Sequence, residues 1–241
     1  MHVQRLVSFP MYDFPEVRHY TIRFWNAVVD QLAKEGVPDL RETIVPDPAC
    51  EKSVAEGSLL LGQVCGYPLT HAYSGQLRVI ATPCYSTPYS SGPEYCSVVV
   101  VRKDSTYQTV ADLRHTRCAV NGYDSNSGMN MLRALVAPLS HNGRFFSKVF
   151  ATGSHKSSLD NIASGNADCC AIDCVLYTLF LRYDVPEAKQ TRVLPTPGFG
   201  HKRHRAALRA NAGRTSLSIR GLASLALAYP AVSGGPIRCG D

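Results

Sequence analysis

The stretch Cys118-Ala119-Val120-Asn121-Gly122-Tyr123-Asp124-Ser125-Asn126-Ser127-Gly128, followed by Met129-Asn130-Met131-Leu132-Arg133-Ala134-Leu135-Val136-Ala137, reads as strand, polar loop and helix. Short hydroxyl and amide side chains directly ahead of a helical apolar pattern are N-cap residues, and they leave the first-turn N–H groups pointing outward. Those N–H groups, the helix dipole and the hydroxyls of Ser125 and Ser127 form a neutral cradle for a phosphate, phosphonate or carboxylate. Gly128 lets an anion come close to the backbone. The same string also reads as an ordinary helix cap, so taken alone it does not decide function.

A second unit of the same kind follows. After the apolar Val149-Phe150-Ala151 come Thr152-Gly153-Ser154-His155, a helical pattern through Leu159, Ile162 and Ala163 with Gly165 as its stop, and then Cys169-Cys170-Ala171-Ile172-Asp173. The last run is short, apolar and bounded, as buried parallel strands are. In open α/β sheets ligands bind at the carboxyl ends of the strands. His155 after one strand and Asp173 at the end of the next are therefore expected to face the crevice of Ser125 and Ser127.

These segments, together with Leu6 to Glu16, Cys65-Gly66-Tyr67-Pro68-Leu69 and Ser91-Gly92-Pro93-Glu94-Tyr95, recur in one order across residues 3 to 198. In that order they resemble the phosphate/phosphite/phosphonate substrate-binding proteins of ABC transporters, and several such segments together are more specific than any one of them. The resemblance implies an α/β, bilobed type II periplasmic-binding fold, with two mixed sheets flanked by helices and a ligand cleft between the lobes. It implies lobe 1 over residues 1–97, with a return of the chain after 185, and lobe 2 over 98–184. Carried over residue by residue, it implies a ligand set of Ser125, Asn126, Ser127, His155, Asp173 and Tyr67, with Tyr12 and Tyr95 as further aromatic positions that also read as packing. Asn126 departs from the threonine often found there and puts an amide where a hydroxyl would be. The implied partners are a small anion and the permease subunits of an importer, with no cofactor and no catalysis.

Composition bounds the alternatives. The chain has 241 residues, of which 45% are apolar, enough for a sizeable core. No apolar run is long enough to span a membrane, and the helical stretch from Glu16 to Ala33 carries Val17, Tyr20, Trp25, Val28, Val29 and Leu32 as a core face. The formal charge of +6 resides entirely in residues 199–241, which hold seven Lys/Arg and one Asp/Glu. This basic tail has few aromatic residues and no nucleic-acid motif ahead of it, so nucleic acid is not expected as a partner. The tail reads as foreign to the family, as a shifted reading frame after Pro197-Gly198 would make it, or as a poorly ordered extension. Met1-His2-Val3-Gln4-Arg5 leads into the first strand without an apolar signal segment, so a periplasmic location rests on the resemblance and a cytosolic anion sensor is the alternative.

Nine cysteines, an odd number without a regular framework, point to a reducing compartment. Cys169, Cys170 and Cys174 are expected to pack rather than to bind metal, because adjacent strand residues face opposite ways. An enzyme built on Cys65 with His71, or on His155 with Asp173, is the other class of reading. No nucleophile elbow, zinc-ligand run or phosphate-loop lysine supports it.

Overall fold

The structure, a computed structural model, describes residues 6–36, 54–90, 94–196, 204–205 and 207–211. The Pro46-Asp47-Pro48 turn, Ser91-Gly92-Pro93, Cys50, Cys239 and residues 212–241 lie outside them, as does the side chain of Tyr95. The strands in chain order are β1 (Leu6–Ser8), β2 (Leu59–Val64), β3 (Leu77–Ala81), β4 (Glu94–Tyr95), β5 (Ser97–Arg102), β6 (Arg117–Val120), β7 (Lys148–Ala151), β8 (Cys169–Asp173), β9 (Thr191–Val193), β10 (His204–Arg205) and β11 (Ala207–Asn211). The chain forms two compact units. One comprises Met1–Ser86, Ser91–Glu94 and Arg205–Asp241, and the other Thr87–Ser90 and Tyr95–His204.

The first unit is built on a four-stranded sheet in the order β1-β2-β11-β3. β1 runs parallel to β2, and β11 lies antiparallel to both β2 and β3. Within the basic tail, then, the backbone of Ala207–Asn211 occupies an interior position of this sheet. The long helix spans Arg18–Lys34 and ends where Gly36, at φ +77°, returns its N–H to Ala33. Its expected core face is the one buried: Trp25, Val28 and Leu32 pack with Val7, Phe9, Leu60 and Leu61. Burial of each such large side chain contributes about 1.5–3 kcal/mol.

The second unit carries a five-stranded mixed sheet in the order β7-β6-β8-β5-β9. β6 is parallel to β7 on one side and to β8 on the other, whereas β5 is antiparallel to both β8 and β9. Cys169 and Ala171 join the core cluster of Val99, Val101, Leu113, Cys118, Val120 and Leu132. Their neighbours Cys170 and Ile172 point to the opposite face and are equally buried, so β8 is covered on both sides. This double burial explains the unbroken apolar run of β8. Because β6, β7 and β8 are parallel, the loops after Val120, Ala151 and Asp173 emerge at one edge of the sheet, with β7 and β8 added on opposite sides of β6.

One local expectation changes in form. The helix after the first polar loop does not start as a regular α-helix at Met129. Asn126–Asn130 makes a π-turn, with the Asn130 N–H bonded to Ser125 O at 3.0 Å, and the α-helix proper is Met131–Val136. Wide turns of this type concentrate at functional sites.

Candidate functional site

The two polar loops at this edge are tied together by the sheet. Thr152 N–H donates to Val120 O at 2.8 Å and Gly153 N–H to Asn121 O at 3.0 Å, which extends the β6–β7 pairing into the loops. Thr152 Oγ1 secures the same corner, donating to Val120 O at 3.1 Å and lying 2.7 Å from Ser158 Oγ. Each loop then caps its own helix. Ser125 Oγ accepts from Gly128 N–H and Ser154 Oγ from Ser157 N–H, both at 3.0 Å. Ser125 therefore has the capping role that the sequence offered as its plainer reading.

Ser127 and His155, 28 residues apart in sequence, meet at 3.0 Å between Oγ and Nε2. The bond runs either way with the tautomer, the ring donating to the hydroxyl or the hydroxyl to the ring. The His155 residue keeps some exposure, but protein encloses the ring closely enough that burial pushes its pKa from 6.5 down to about 4. The Ala171 backbone pulls the other way, although no polar atom meets Nδ1 in hydrogen-bond geometry. At neutral pH the imidazole is therefore uncharged and serves as a hydrogen-bonding group.

Gly128 is required here by crowding rather than by its φ. A Cβ at this position would lie 1.7 Å from Asn121 Oδ1, 2.9 Å from Asn121 Cγ and 3.2 Å from His155 Cε1. The same contacts show that Asn121 and His155 converge on the first turn of the Asn126–Val136 helical segment.

Around this turn, polar atoms are buried without partners. Asn126 is 6% exposed and its Nδ2 meets no acceptor; Asn130 Nδ2 likewise meets no acceptor, and Asn121 Oδ1 meets no donor. Asn126 and Asn130, four residues apart, share a helix face. An unsatisfied buried polar group costs about 1–3 kcal/mol, so the two donors, Asn126 Nδ2 and Asn130 Nδ2, would gain from an acceptor supplied from outside the chain. Asn121 and Asn130 were not singled out by the sequence reading. The available signal was an asparagine directly after a strand and another one helical turn beyond Asn126.

The remaining expected ligand positions divide. Asp173 is 3% exposed, and its Oδ1 accepts from Val175 N–H at 2.8 Å and Leu176 N–H at 3.1 Å as the N-cap of the helix Cys174–Arg182. Its position at the strand end follows from the sequence, while its partners give it a structural task. Tyr12 and Tyr67 belong to the first unit. Tyr12 is buried against Tyr85, their rings 5.1 Å apart edge to face. Tyr67, in the short helix Gly66–Thr70, stacks at 4.0 Å on His71, which caps the helix's C-terminus. His71 Nδ1 lies 3.0 Å from both Tyr67 O and Thr70 Oγ1, and Cys65 Sγ lies 3.8 Å from Met11 Sδ. Among the described residues no group of three or more His, Cys, Asp or Glu converges on a candidate metal position.

A sequence profile described as the periplasmic substrate-binding protein of phosphonate ABC transporters matches residues 18–204. PhnD1 from Prochlorococcus marinus, solved in complex with methylphosphonate, superposes with a TM-score of 0.70 at 18% identity, covering 93% of this chain and 84% of that one. A binding-protein component of an ABC phosphonate transporter from Pseudomonas aeruginosa gives 0.67 at 13% identity, covering 99% and 82%. A Xanthomonas citri protein bound to ATP gives 0.60 at 14% identity, covering 93% and 82%, so one fold serves different ligands. Among curated proteins, a 40-residue stretch is 50% identical to transferrin of Blaberus discoidalis. It spans 17% of this chain and only 6% of that protein's length, too little to assign a family.

Proposed function

Because the chain belongs to the periplasmic substrate-binding family of phosphonate ABC transporters and has the type II periplasmic-binding fold, we propose that it captures a small phosphorus oxyanion: phosphate, phosphite or a phosphonate. The observation that carries this reading is the pair of buried, unpartnered amide nitrogens of Asn126 and Asn130 around the turn that Ser125 caps. Asn126 and Asn130 offer donors to an anion, first-turn N–H groups of the helix add more, and the Ser127 hydroxyl is held in place by His155.

The cradle acts through neutral donors. Lys156, next to His155 in sequence, is drawn to Asp160 and Glu187 at 2.5 and 3.0 Å, and His155 is uncharged at neutral pH. Binding by oriented dipoles and amides suits reversible capture of a transported solute, because the affinity does not rest on a desolvated charge pair. No step of catalysis is assigned to these residues. Delivery would be to the permease subunits of an importer, and the periplasm is the compartment this role requires. No helix among the described residues is long and apolar enough to cross a membrane.

The test is calorimetry and thermal shift against phosphate, phosphite, methylphosphonate, 2-aminoethylphosphonate, sulfate and small carboxylates. Selective stabilisation by a phosphorus oxyanion, growing with the logarithm of its concentration, is the expected result. Equal or absent responses to all of them would remove the reading. So would unchanged binding after Asn126→Ala.

A further inference from the structure

Two pairs of free thiols face each other across strands of the second unit. Cys118 and Cys169 are matched in the parallel register of β6 and β8, inside the apolar core. Cys96 and Cys174 continue the antiparallel register of β5 and β8 one step beyond Ser97 and Asp173, and Cys174 N–H donates to Cys96 O at 2.9 Å. Opposed residues of an antiparallel ladder have Cα atoms about 4.5–5.5 Å apart. That spacing falls inside the window of about 4.4–6.8 Å that a disulfide bridges.

The two pairs differ in chemistry. Cys174 opens the helix Cys174–Arg182, so its sulfur lies at the positive end of the helix dipole. Cys96 N–H donates to Cys174 Sγ at 3.4 Å, Ser90 Oγ lies 3.2 Å from it, and Thr87 Oγ1 donates at 4.0 Å. The Cys96 thiol and these donors lower the Cys174 pKa to about 6 against the cost of burial, while the same pairing pushes Cys96 up. Cys118 Sγ donates to the Ala119 carbonyl at 3.7 Å, and its pairing with Cys169 together with burial raises its pKa well above the usual thiol range. Both sulfurs of the Cys96 pair are buried, but Cys174 lies against the turn Thr87–Ser90, whose residues are half-buried or exposed.

We propose that Cys96 and Cys174 are a redox-active thiol pair that a hydroperoxide converts to a disulfide, with Cys174 as the attacking sulfur and Cys96 as the resolving one. In the first step the Cys174 thiolate forms an S–O bond to hydrogen peroxide as the O–O bond breaks and hydroxide leaves. In the second, Cys96 sulfur attacks the Cys174 sulfur, the S–S bond forms, the S–O bond breaks, and the Cys96 proton departs with the hydroxyl as water. Overall, two thiols give up two electrons and two protons, and one peroxide becomes two waters. The product bond would join the start of the Cys174–Arg182 helix to residue 96, directly beside β4, where the chain passes from one unit to the other.

The folded full chain is treated with hydrogen peroxide, unfolded in denaturant with an alkylating agent, and digested with chymotrypsin and an Asp-N protease. These cuts separate Cys96 from Cys84 and Cys174 from Cys170. The expected result is loss of two alkylation sites, with the Cys96 and Cys174 peptides joined and released again by dithiothreitol. In Cys96→Ser, dimedone should trap Cys174 as its sulfenic acid. Full alkylation of Cys96 and Cys174 while Cys65 or Cys84 oxidises would overturn the proposal. Joining of Cys118 to Cys169 at the same rate would do so too. Mapping of the unmutated protein decides the matter even where a serine variant does not fold.

Discussion

Replacing Gly128 by alanine sets two effects of opposite sign against each other. In an exposed helix the change would be favourable by about 1 kcal/mol, because glycine is the poorer helix former. Here the new methyl would sit 1.7 Å from Asn121 Oδ1, far inside contact distance, and 3.2 Å from His155 Cε1, a few tenths of an ångström too close. Overpacking of this kind costs about 1–3 kcal/mol, so we expect a net destabilisation of up to about 2 kcal/mol. The larger effect falls on binding. The two side chains that must give way are Asn121, whose Oδ1 packs against this turn, and His155, which holds the Ser127 hydroxyl. Loss of one such contact corresponds to about a ten-fold weakening, or 1.4 kcal/mol. Urea titration reads the first quantity and calorimetry with methylphosphonate or phosphate reads the second. A variant that is more stable than the parent and binds equally well would refute the packing argument and, with it, the convergence of these two loops on one site.

Ser127→Ala should weaken anion binding by about 1–3 kcal/mol, since it removes one donor from a charged acceptor, and should also lower stability by about 1 kcal/mol because His155 Nε2 loses its partner; calorimetry and urea titration measure the two. Asp173→Ala should lower stability by about 1–2 kcal/mol through loss of the helix cap, whereas Asp173→Asn, which keeps an acceptor for Val175 and Leu176, should stay within about half of that cost. If Asp173→Asn instead abolished binding without lowering the melting temperature, a direct ligand role would stand. For His155 the folded pKa of about 4 lies below the usual 6.5, so its contribution to stability is present above pH 6.5 and is lost as pH falls towards 4. The loss amounts to at most about 3 kcal/mol. Urea midpoints measured from pH 7 to pH 4 should show this slope, and His155→Gln should remove it.

The sequence made much of the second unit legible because its signals are local. The apolar run Cys169–Ile172, the polar string ahead of Met129 and the stop at Gly165 are each set by periodicity, capping or a left-handed glycine, with Gly165 at φ +77°. The core face of the Arg18–Lys34 helix was readable for the same reason. Partner choice was not readable. Asp173 looks the same in sequence whether or not it caps the next helix, and only the backbone turn at Cys174 brings the Val175 and Leu176 N–H groups to its Oδ1. Asn121 appeared as one more loop residue until the β6–β7 pairing brought it against Gly128.

What the sequence determined by itself was the kind and order of the elements, the loops that carry polar groups and the strand ends from which they emerge, because these depend on residues within a few positions of one another. What the tertiary structure decided was which side chains meet. Ser127 and His155 are 28 residues apart, and Cys96 and Cys174 are separated by 78. Such contacts exist only once β6 lies between β7 and β8 and β5 runs antiparallel to β8. Long-range strand register is fixed by burial of both sheet faces together, and no local window of the sequence contains that information.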